Sequence, residues 1–255
     1  MKNEQSVLVV IPSYNEKENI GSLAEKILAI DSNIDVLVVD DNSPDGTADI
    51  VRKTKEFGGR LQMIVRHKKN GRGGAVLDGF RQGLENKKGY SFFFEMDADF
   101  SHSPDEIPAF LEKIKECDLV IGSRYRSGSK IIGWPINRTI FSKLANIYAR
   151  FLLRIPITDY TNGYRLYRRE VLENLDYNAI EASGYIVLSE VAFQIYLSGY
   201  RIGEIPTIFV NRRRGLSNLS FNEISSALWS VFRLALKRRQ IKKIIEQKRS
   251  PKKNG

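Results

Sequence analysis

Apolar residues in this chain occur in two arrangements, short unbroken runs and stretches where they recur every three or four positions. Val7–Ile11, Val36–Val39 and Leu61–Val65 are unbroken runs, each of a length that suits a strand buried on both faces. Between the first two, Ile20, Leu23, Ala24, Ile27 and Leu28 line one face of a helix predicted over Glu16–Ile30. A second helix is predicted from about Ala48 and a third over Gly74–Leu84. Phe92–Met96 reads as a further strand, although Glu95 interrupts it. Ser103-Pro104 then opens a helix, and Asp118–Ser123 is another strand. Strands alternating with helices predict an α/β fold, a mainly parallel sheet with helices on both faces.

Beyond Gly122 the pattern loosens. Asn137–Leu153 predicts an amphipathic helix ended by Pro156, followed by the loop DYTNGYRLY and a short helix. An apolar stretch spans Ile186–Tyr196, and Tyr200–Pro206 and Ile208–Val210 read as short strands. Phe221–Leu236 predicts a last helix with Ile224, Leu228, Val231, Phe232 and Ala235 at helical spacing. The chain divides into a catalytic domain, 1–220, and an amphipathic helix with a basic tail, 221–255.

Composition narrows the classes. The net charge of +10 suggests nucleic acid at first, but nine Lys or Arg against one Glu after Leu236 account for +8 of it. A nucleic-acid-binding module would interleave basic and aromatic residues over a surface, so this distribution argues against one. The single cysteine, Cys117, excludes an internal disulfide and a cysteine-rich zinc site, and fits a reducing, intracellular setting. No run approaches the roughly 20 apolar residues of a membrane span, and the start MKNEQ does not resemble a signal peptide.

Candidate chemistry gathers where strands end. The first strand ends in IPSYNE, where Pro12 is expected to turn the chain, Tyr14 could stack on a base and Glu16 could accept from a ribose hydroxyl. The second ends in VVDDNSPDGT, whose turn needs Pro44 and Gly46 but not the two aspartates before them. The fourth ends in DADFSHSP, where Asp97 and Asp99 could hold a hard divalent cation through oxygen. Ligands of open α/β sheets bind outside the carboxyl ends of the strands, so three acidic strand ends predict one site. NGRGGAVLDG departs from the dinucleotide fingerprint at Val76, yet sets Arg72 at a helix start suited to an anion.

Taken together, PSYNE, DDNSPDGT, GRGGA, DADFSHSP, GSRY, GW, the spacing Arg138…Ser142…Asn146, DYTNGYRLYRREVL, GYRIGEIP and RRRGLSNLS resemble the GT-A family 2 glycosyltransferases. The likeness covers roughly residues 5–225 and is greatest for the dolichyl-phosphate (polyprenyl-phosphate) mannose synthases of that family. It implies a nucleotide-diphospho-sugar transferase fold and inverting transfer of mannose from GDP-mannose to a polyprenyl phosphate. Pro12, Tyr14, Glu16, Val39 and Asp41 would hold the base and ribose. Asp97, Ala98 and Asp99 would meet the diphosphate and its Mg²⁺ or Mn²⁺, with Ser101 where many relatives place a glutamine ligand. Arg124, Arg138 and Ser142 match positions linked to the acceptor phosphate, and Arg124 also counts among the donor and catalytic residues. Glu190 and Asp159 would orient hydroxyls, Asp159 alternatively capping its own loop. Arg212 matches a phosphate-binding arginine, Asn218 replaces a lysine, and Leu188 stands where a glutamine usually contacts the sugar. Rival donors within the fold are UDP-glucose and UDP-GlcNAc, with a lipid phosphate or glycan acceptor.

The basic tail follows an amphipathic helix, a combination that can lie on an anionic membrane. A cytoplasmic enzyme docked peripherally on a membrane is therefore expected, its tail from Lys237 contributing little to the core.

Overall fold

The computed structural model describes residues 6–67, 71–180, 184, 186–211 and 221–249. In chain order the elements are β1 (Val7–Ser13), α1 (Ile20–Leu28), β2 (Ile34–Asp40), α2 (Thr47–Lys53), β3 (Leu61–Val65), α3 (Gly71–Glu85), β4 (Phe92–Glu95), α4 (Ile107–Lys113), β5 (Leu119–Ser123) and β6 (Lys130–Ile132). They continue with α5 (Ile136–Leu153), β7 (Arg165–Arg168), α6 (Arg169–Glu173), α7 (Ile186–Leu197), β8 (Ile202–Pro206), β9 (Ile208–Val210), α8 (Phe221–Leu236) and α9 (Arg238–Arg249).

A seven-stranded sheet runs in the order β3-β2-β1-β4-β7-β5-β8, and β6 pairs with β9 in a small second sheet. Only β7 runs against its neighbours in the large sheet, pairing antiparallel with both β4 and β5. Side chains alternate across the strands, which explains the unbroken apolar runs. Val7, Val9 and Ile11 face α1, α2 and α4, whereas Leu8 and Val10 face the other helical layer with α3 and α7. Gly79 and Gly83 bring α3 onto the sheet, because a Cβ at either position would run into Val10 or into Leu8 and Phe93.

Pro12 does not turn the chain; β1 continues through it to Ser13, in register with Val39 and Asp40 of β2. Its missing N–H costs nothing there. The Ser13 carbonyl accepts from Asp41 on the β2 side and the Val10 carbonyl accepts from Met96, so Pro12 faces the β4 side, beyond the last β1–β4 pair. The helix expected from Glu16 begins at Ile20, after a turn in which the Glu16 carbonyl accepts from Asn19 and Ile20.

The end of the chain departs most from expectation. Lys237 leads directly into α9, whose Ile241 is buried in the same core as Val231 and Leu234 of α8. Arg238 donates to the Leu153 carbonyl at the end of α5, 2.8 Å away, and its guanidinium lies 5.5 Å from the Phe193 ring of α7. The basic tail is thus partly core. No helix among the described residues is long and apolar enough to cross a membrane.

Candidate active site

Two loops at the carboxyl ends of β1 and β2 are stitched together by polar side chains. Asp40 accepts from the Ser13 hydroxyl at 2.7 Å and from both the hydroxyl and the amide of Ser43. Ser43 in turn accepts from the Asn15 amide, Thr47 from the Glu16 amide and Asp45 from the Lys17 amide. Burial alone would raise the Asp45 pKa, but bonds from the Thr47 hydroxyl and from the Thr47 and Lys17 amides outweigh it and hold the carboxyl below its ordinary value. SPDGT therefore does more than turn the chain: it fixes the preceding loop. Asp40 is occupied by that task. Asp41 instead pairs with Arg66 at 2.6 Å, and Arg66 also reaches Asp78 of α3. Tyr14 is exposed and Glu16 half-buried beside these groups, while Pro12 is buried and the Val39 side chain lies in the core under α3.

The loop after β4 carries the acid pair. Asp97 and Asp99 are half-buried, and the Ala98 side chain turns into the core between them. Phe100 adopts a left-handed conformation, φ 58°, uncommon for a residue with a Cβ, and the Ser101 amide donates back to Asp99 at 3.0 Å. His102 anchors this turn from within. Its Nδ1 accepts from the Asp97 amide at 3.3 Å, which puts the ring proton on Nε2, 2.8 Å from Asn162 Oδ1. Burial lowers the His102 pKa, so the imidazole stays neutral and both ring nitrogens are occupied within the protein. It is a scaffold, and sequence reasoning passed over it.

Arg72 also differs from expectation. Its guanidinium turns inward, with Nε 2.5 Å from Asp97, Nη1 3.2 Å from Glu95 and Nη2 3.0 Å from the Gly163 carbonyl. Gly163 is required there because a Cβ would collide with the guanidinium. Glu95, buried at the end of β4, also accepts from Tyr167 of β7. Desolvation raises its pKa against the opposing pull of Arg72 and Arg165.

A hard cation suits the acid loop. Asp97 and Asp99 supply carboxylate oxygens, and the Ser101 hydroxyl is buried with no hydrogen-bond partner among the described residues. An orphaned buried oxygen two residues beyond a carboxylate is a donor awaiting an acceptor or a cation.

Across from this loop sits an arginine cluster. Arg124, at the end of β5, is buried and paired through Nε and Nη2 with the two oxygens of Asp159, each at 2.8 Å. Burial opposes its charge, but Asp159 and, more weakly, Tyr125 and Asp97 outweigh this and raise its pKa. Asp159 also accepts from the amides of Arg124, Thr161 and Asn162, so it is fully engaged as a cap and counter-ion and does not orient hydroxyls. Arg138, on α5, lies with its guanidinium 4.1 Å from the Trp134 ring and donates to Asn211. Ser142, one turn on, accepts from the Tyr125 hydroxyl at 2.6 Å, which leaves its own hydrogen to donate. Asn146 is structural, linking the Ser142 carbonyl to the Tyr160 amide. Glu190 is buried near the start of α7, beside Leu188. Arg212 and Asn218 lie outside the described residues.

The small sheet joins the two sides. The Ser101 carbonyl accepts from the Val210 amide of β9, and Phe209 meets His102 at 5.5 Å and Trp134 at 5.2 Å, ring to ring.

Acidic strand ends of a mainly parallel sheet and a pair of arginines gather at one edge, where ligands of such sheets bind. The chain belongs to glycosyl transferase family 2, which it matches over residues 8–176. It is 40% identical over 229 residues to polyprenol monophosphomannose synthase of Mycolicibacterium smegmatis, covering 89% of this chain and 86% of that one. Undecaprenyl-phosphate mannosyltransferase of Micrococcus luteus is 40% identical over 230 residues, covering 90% and 94%. Among solved structures, glucosyl-3-phosphoglycerate synthase of Mycobacterium tuberculosis in complex with Mn²⁺ and UDP-glucose superposes with a TM-score of 0.65 at 19% identity, covering 93% of this chain and 80% of that one. That likeness is one of fold, and the fold is GT-A.

Proposed function

We propose that this glycosyltransferase moves mannose from GDP-mannose to the phosphate of a polyprenyl lipid, with inversion at the anomeric carbon. The observation that carries the reading is on α5. The helix that bears Arg138 and Ser142 also exposes Ile136, Ile140, Leu144, Ile147 and Phe151 along one stripe, each more than half exposed. An acceptor with an anionic head and a long apolar tail suits such a helix. The names of the two 40% identical relatives support the same acceptor class.

In this reading Tyr14, Glu16 and Asp41 bind the nucleoside, and Asp97, Asp99 and Ser101 hold Mg²⁺ or Mn²⁺. Held there, such a cation would supply neutralisation of the charge developing on the departing diphosphate. Arg72 and His102 hold Asp97 in place through its carboxylate and its amide. Arg124, Arg138 and Ser142 orient the acceptor phosphate. A phosphate oxygen, already anionic, attacks the anomeric carbon as the bond to the nucleoside diphosphate breaks, so no strong general base is needed. Glu190 faces the sugar hydroxyls. The stripe on α5, with exposed Trp229 and Leu236 on α8, rests on the cytoplasmic face of a membrane.

The test offers GDP-mannose, UDP-glucose or UDP-GlcNAc, radiolabelled, with polyprenyl phosphate and either cation, and counts label in the organic phase. Label from GDP-mannose alone is the expected result. Label from a uridine donor alone would replace the donor assignment.

A further inference from the structure

We infer that the segment 159–164, DYTNGY, is a brace that holds the two proposed substrate sites at one separation, with Asn162 and His102 as its positioning residues. This rests on the reading that the acid loop takes the donor diphosphate and Arg124 the acceptor phosphate. Three consecutive residues of the segment grip the acid loop. Asn162 Oδ1 accepts from His102 Nε2 at 2.8 Å, and His102 Nδ1 accepts from the Asp97 amide. The Gly163 carbonyl accepts from Nη2 of Arg72, the arginine whose Nε meets the Asp97 carboxylate. Tyr164 stacks on the His102 ring, 4.6 Å between centroids and 6° between planes, and its hydroxyl donates to the Ser103 carbonyl at 2.5 Å. Three residues before Asn162, Asp159 accepts from the backbone amide and the guanidinium of Arg124. One short run of chain therefore touches both sides of the site.

Backbone groups of fixed polarity dictate how the bridge is wired. The Asp97 amide can only donate, so His102 Nδ1 carries no proton and the neutral ring carries it on Nε2. The Gly122 carbonyl of β5 can only accept, so Asn162 turns Nδ2 toward it, 2.5 Å away, and Oδ1 toward His102. The two demands agree. Imidazole and amide are both buried, and each is bonded at both ends within the protein. A buried polar pair that is satisfied in this way rigidifies what it joins. The brace is also stiff along its own length, because Arg165 of β7 donates to the carbonyls of Tyr160 and Asn162. Asp159 adds bonds from the amides of Thr161 and Asn162. Transfer needs the attacking oxygen and the anomeric carbon about 3–3.5 Å apart, a distance that neither site sets alone.

The experiment takes His102→Phe, which keeps a ring to stack on Tyr164 and loses both bonds, Asn162→Ala, and the double variant. Tyr90→Phe, which removes another buried bond, to Asp35, on the far side of β4 from the acid loop, controls for general destabilisation. Single-turnover rates are measured with saturating GDP-mannose and polyprenyl phosphate in detergent, beside the KM of each substrate. Calorimetric binding of GDP with Mn²⁺ reports folding and the donor site independently of turnover, and Asn162→Ala carries the test if His102→Phe does not fold. Each single variant is expected to lower the single-turnover rate by about 10²-fold, the scale of a misplacement near 1 Å. Both KM values and GDP binding should move less than about threefold. The double variant should be little slower than the slower single variant, because either change cuts the same bridge. Tyr90→Phe should keep the wild-type rate. A raised acceptor KM without a rate loss, or GDP binding lost with the rate, would make these residues parts of one site and overturn the brace. Losses that multiply in the double variant would do the same, as would a Tyr90→Phe enzyme as slow as His102→Phe. Wild-type protein inactive with these substrates would overturn the proposed function and the brace with it, whereas an active wild type with unaffected variants overturns the brace alone.

Discussion

At the carboxyl ends of β1, β2 and β4, the groups proposed for the donor stand within a few residues of the strands that carry them, and the sheet's parallel register aligns them. Around Arg124 the proposed acceptor groups come from β5, β6, α5, β9 and the loop before β7, and reach one another only through tertiary packing. On the first side, Arg66 holds the buried Asp41 and Arg72 holds Asp97, while Asp97 and Asp99 stay half-buried at the ends of rigid strands. On the second, Asp159 holds the buried Arg124, and the Trp134 ring contacts both Arg124 and Arg138. The carboxylates proposed for a metal-bound diphosphate are half-buried, within reach of solvent. A buried guanidinium cannot wait without a counter-ion.

That comparison can be broken most forcefully at Asp159. Asp159→Asn leaves Arg124 buried without its counter-ion and should cost about 3–5 kcal/mol of stability, read as a lowered midpoint in denaturant. The pH dependence carries a sign. Burial alone would raise the Asp159 pKa, yet Arg124 and amide donors hold it below the ordinary value. A depressed carboxyl contributes stability that is fully present above the unfolded pKa of about 3.9 and is lost as pH falls through the folded value. The wild-type contribution should therefore be flat from pH 5 to 8, on the order of neutral conditions, and the variant should lack part of the acid limb. A variant as stable as wild type would mean that Arg124 does not depend on Asp159 as its counter-ion.

On the donor side the same kind of substitution should leave stability intact and remove function. Asp99→Asn keeps an oxygen to accept from the Ser101 amide, so the thermal midpoint should barely move. Turnover should fall by about 10²–10³-fold, the usual scale for losing a group that stabilises developing charge. An Asp99→Asn enzyme that remains active in the presence of chelator would remove the cation from the mechanism.

A third substitution tests the chain's end. Ile241→Ala should cost about 2 kcal/mol, because the side chain is buried against the core that α7 and α8 share. No change in stability would return α9 to the status of a solvated tail.

The same contrast explains what was legible in the sequence. β1 to β5 and their helices follow from apolar runs and helical spacing, with ends displaced by a few residues. The acid loop followed from Asp-x-Asp at a strand end. β7 was not legible because its sequence, RLYR, places a fully buried arginine where an apolar residue is expected. Arg165 is satisfied there by the carbonyls of Asn162, Leu188 and Tyr160, partners no local pattern reveals. β6 is too short and too exposed to carry a period. Arg72 was misjudged for a related reason: its position at a helix start suggested an outward anion site, but Glu95 and Asp97 draw it inward. α9 reads as charge in composition and as core only once α7 supplies the surface for Ile241. His102 stands in DADFSHSP and Trp134 in GW, but their contacts join distant segments that no local pattern reveals.

The smallest expected effect lies on the surface that would meet the lipid, and it separates charge from apolar contact. On α9, Arg239, Lys242 and Lys243 are exposed while Ile241 is buried, so this helix can attract anionic lipid but cannot insert its apolar face. On α5 the exposed stripe is apolar. Lys243→Gln should then weaken co-sedimentation with anionic vesicles by about 1 kcal/mol, roughly fivefold, at low salt. The difference should shrink at high salt, where screening shortens the reach of surface charge, and vanish on neutral vesicles. Leu144→Ser should weaken binding on both kinds of vesicle and at both salt levels, because the lost burial is not electrostatic. Neither substitution should alter turnover with a short, soluble polyprenyl phosphate, since both side chains point to solvent. If Lys243→Gln and wild type sediment alike on anionic vesicles at low salt, the basic face of α9 is ordinary solvated surface and membrane contact falls to α5 and α8.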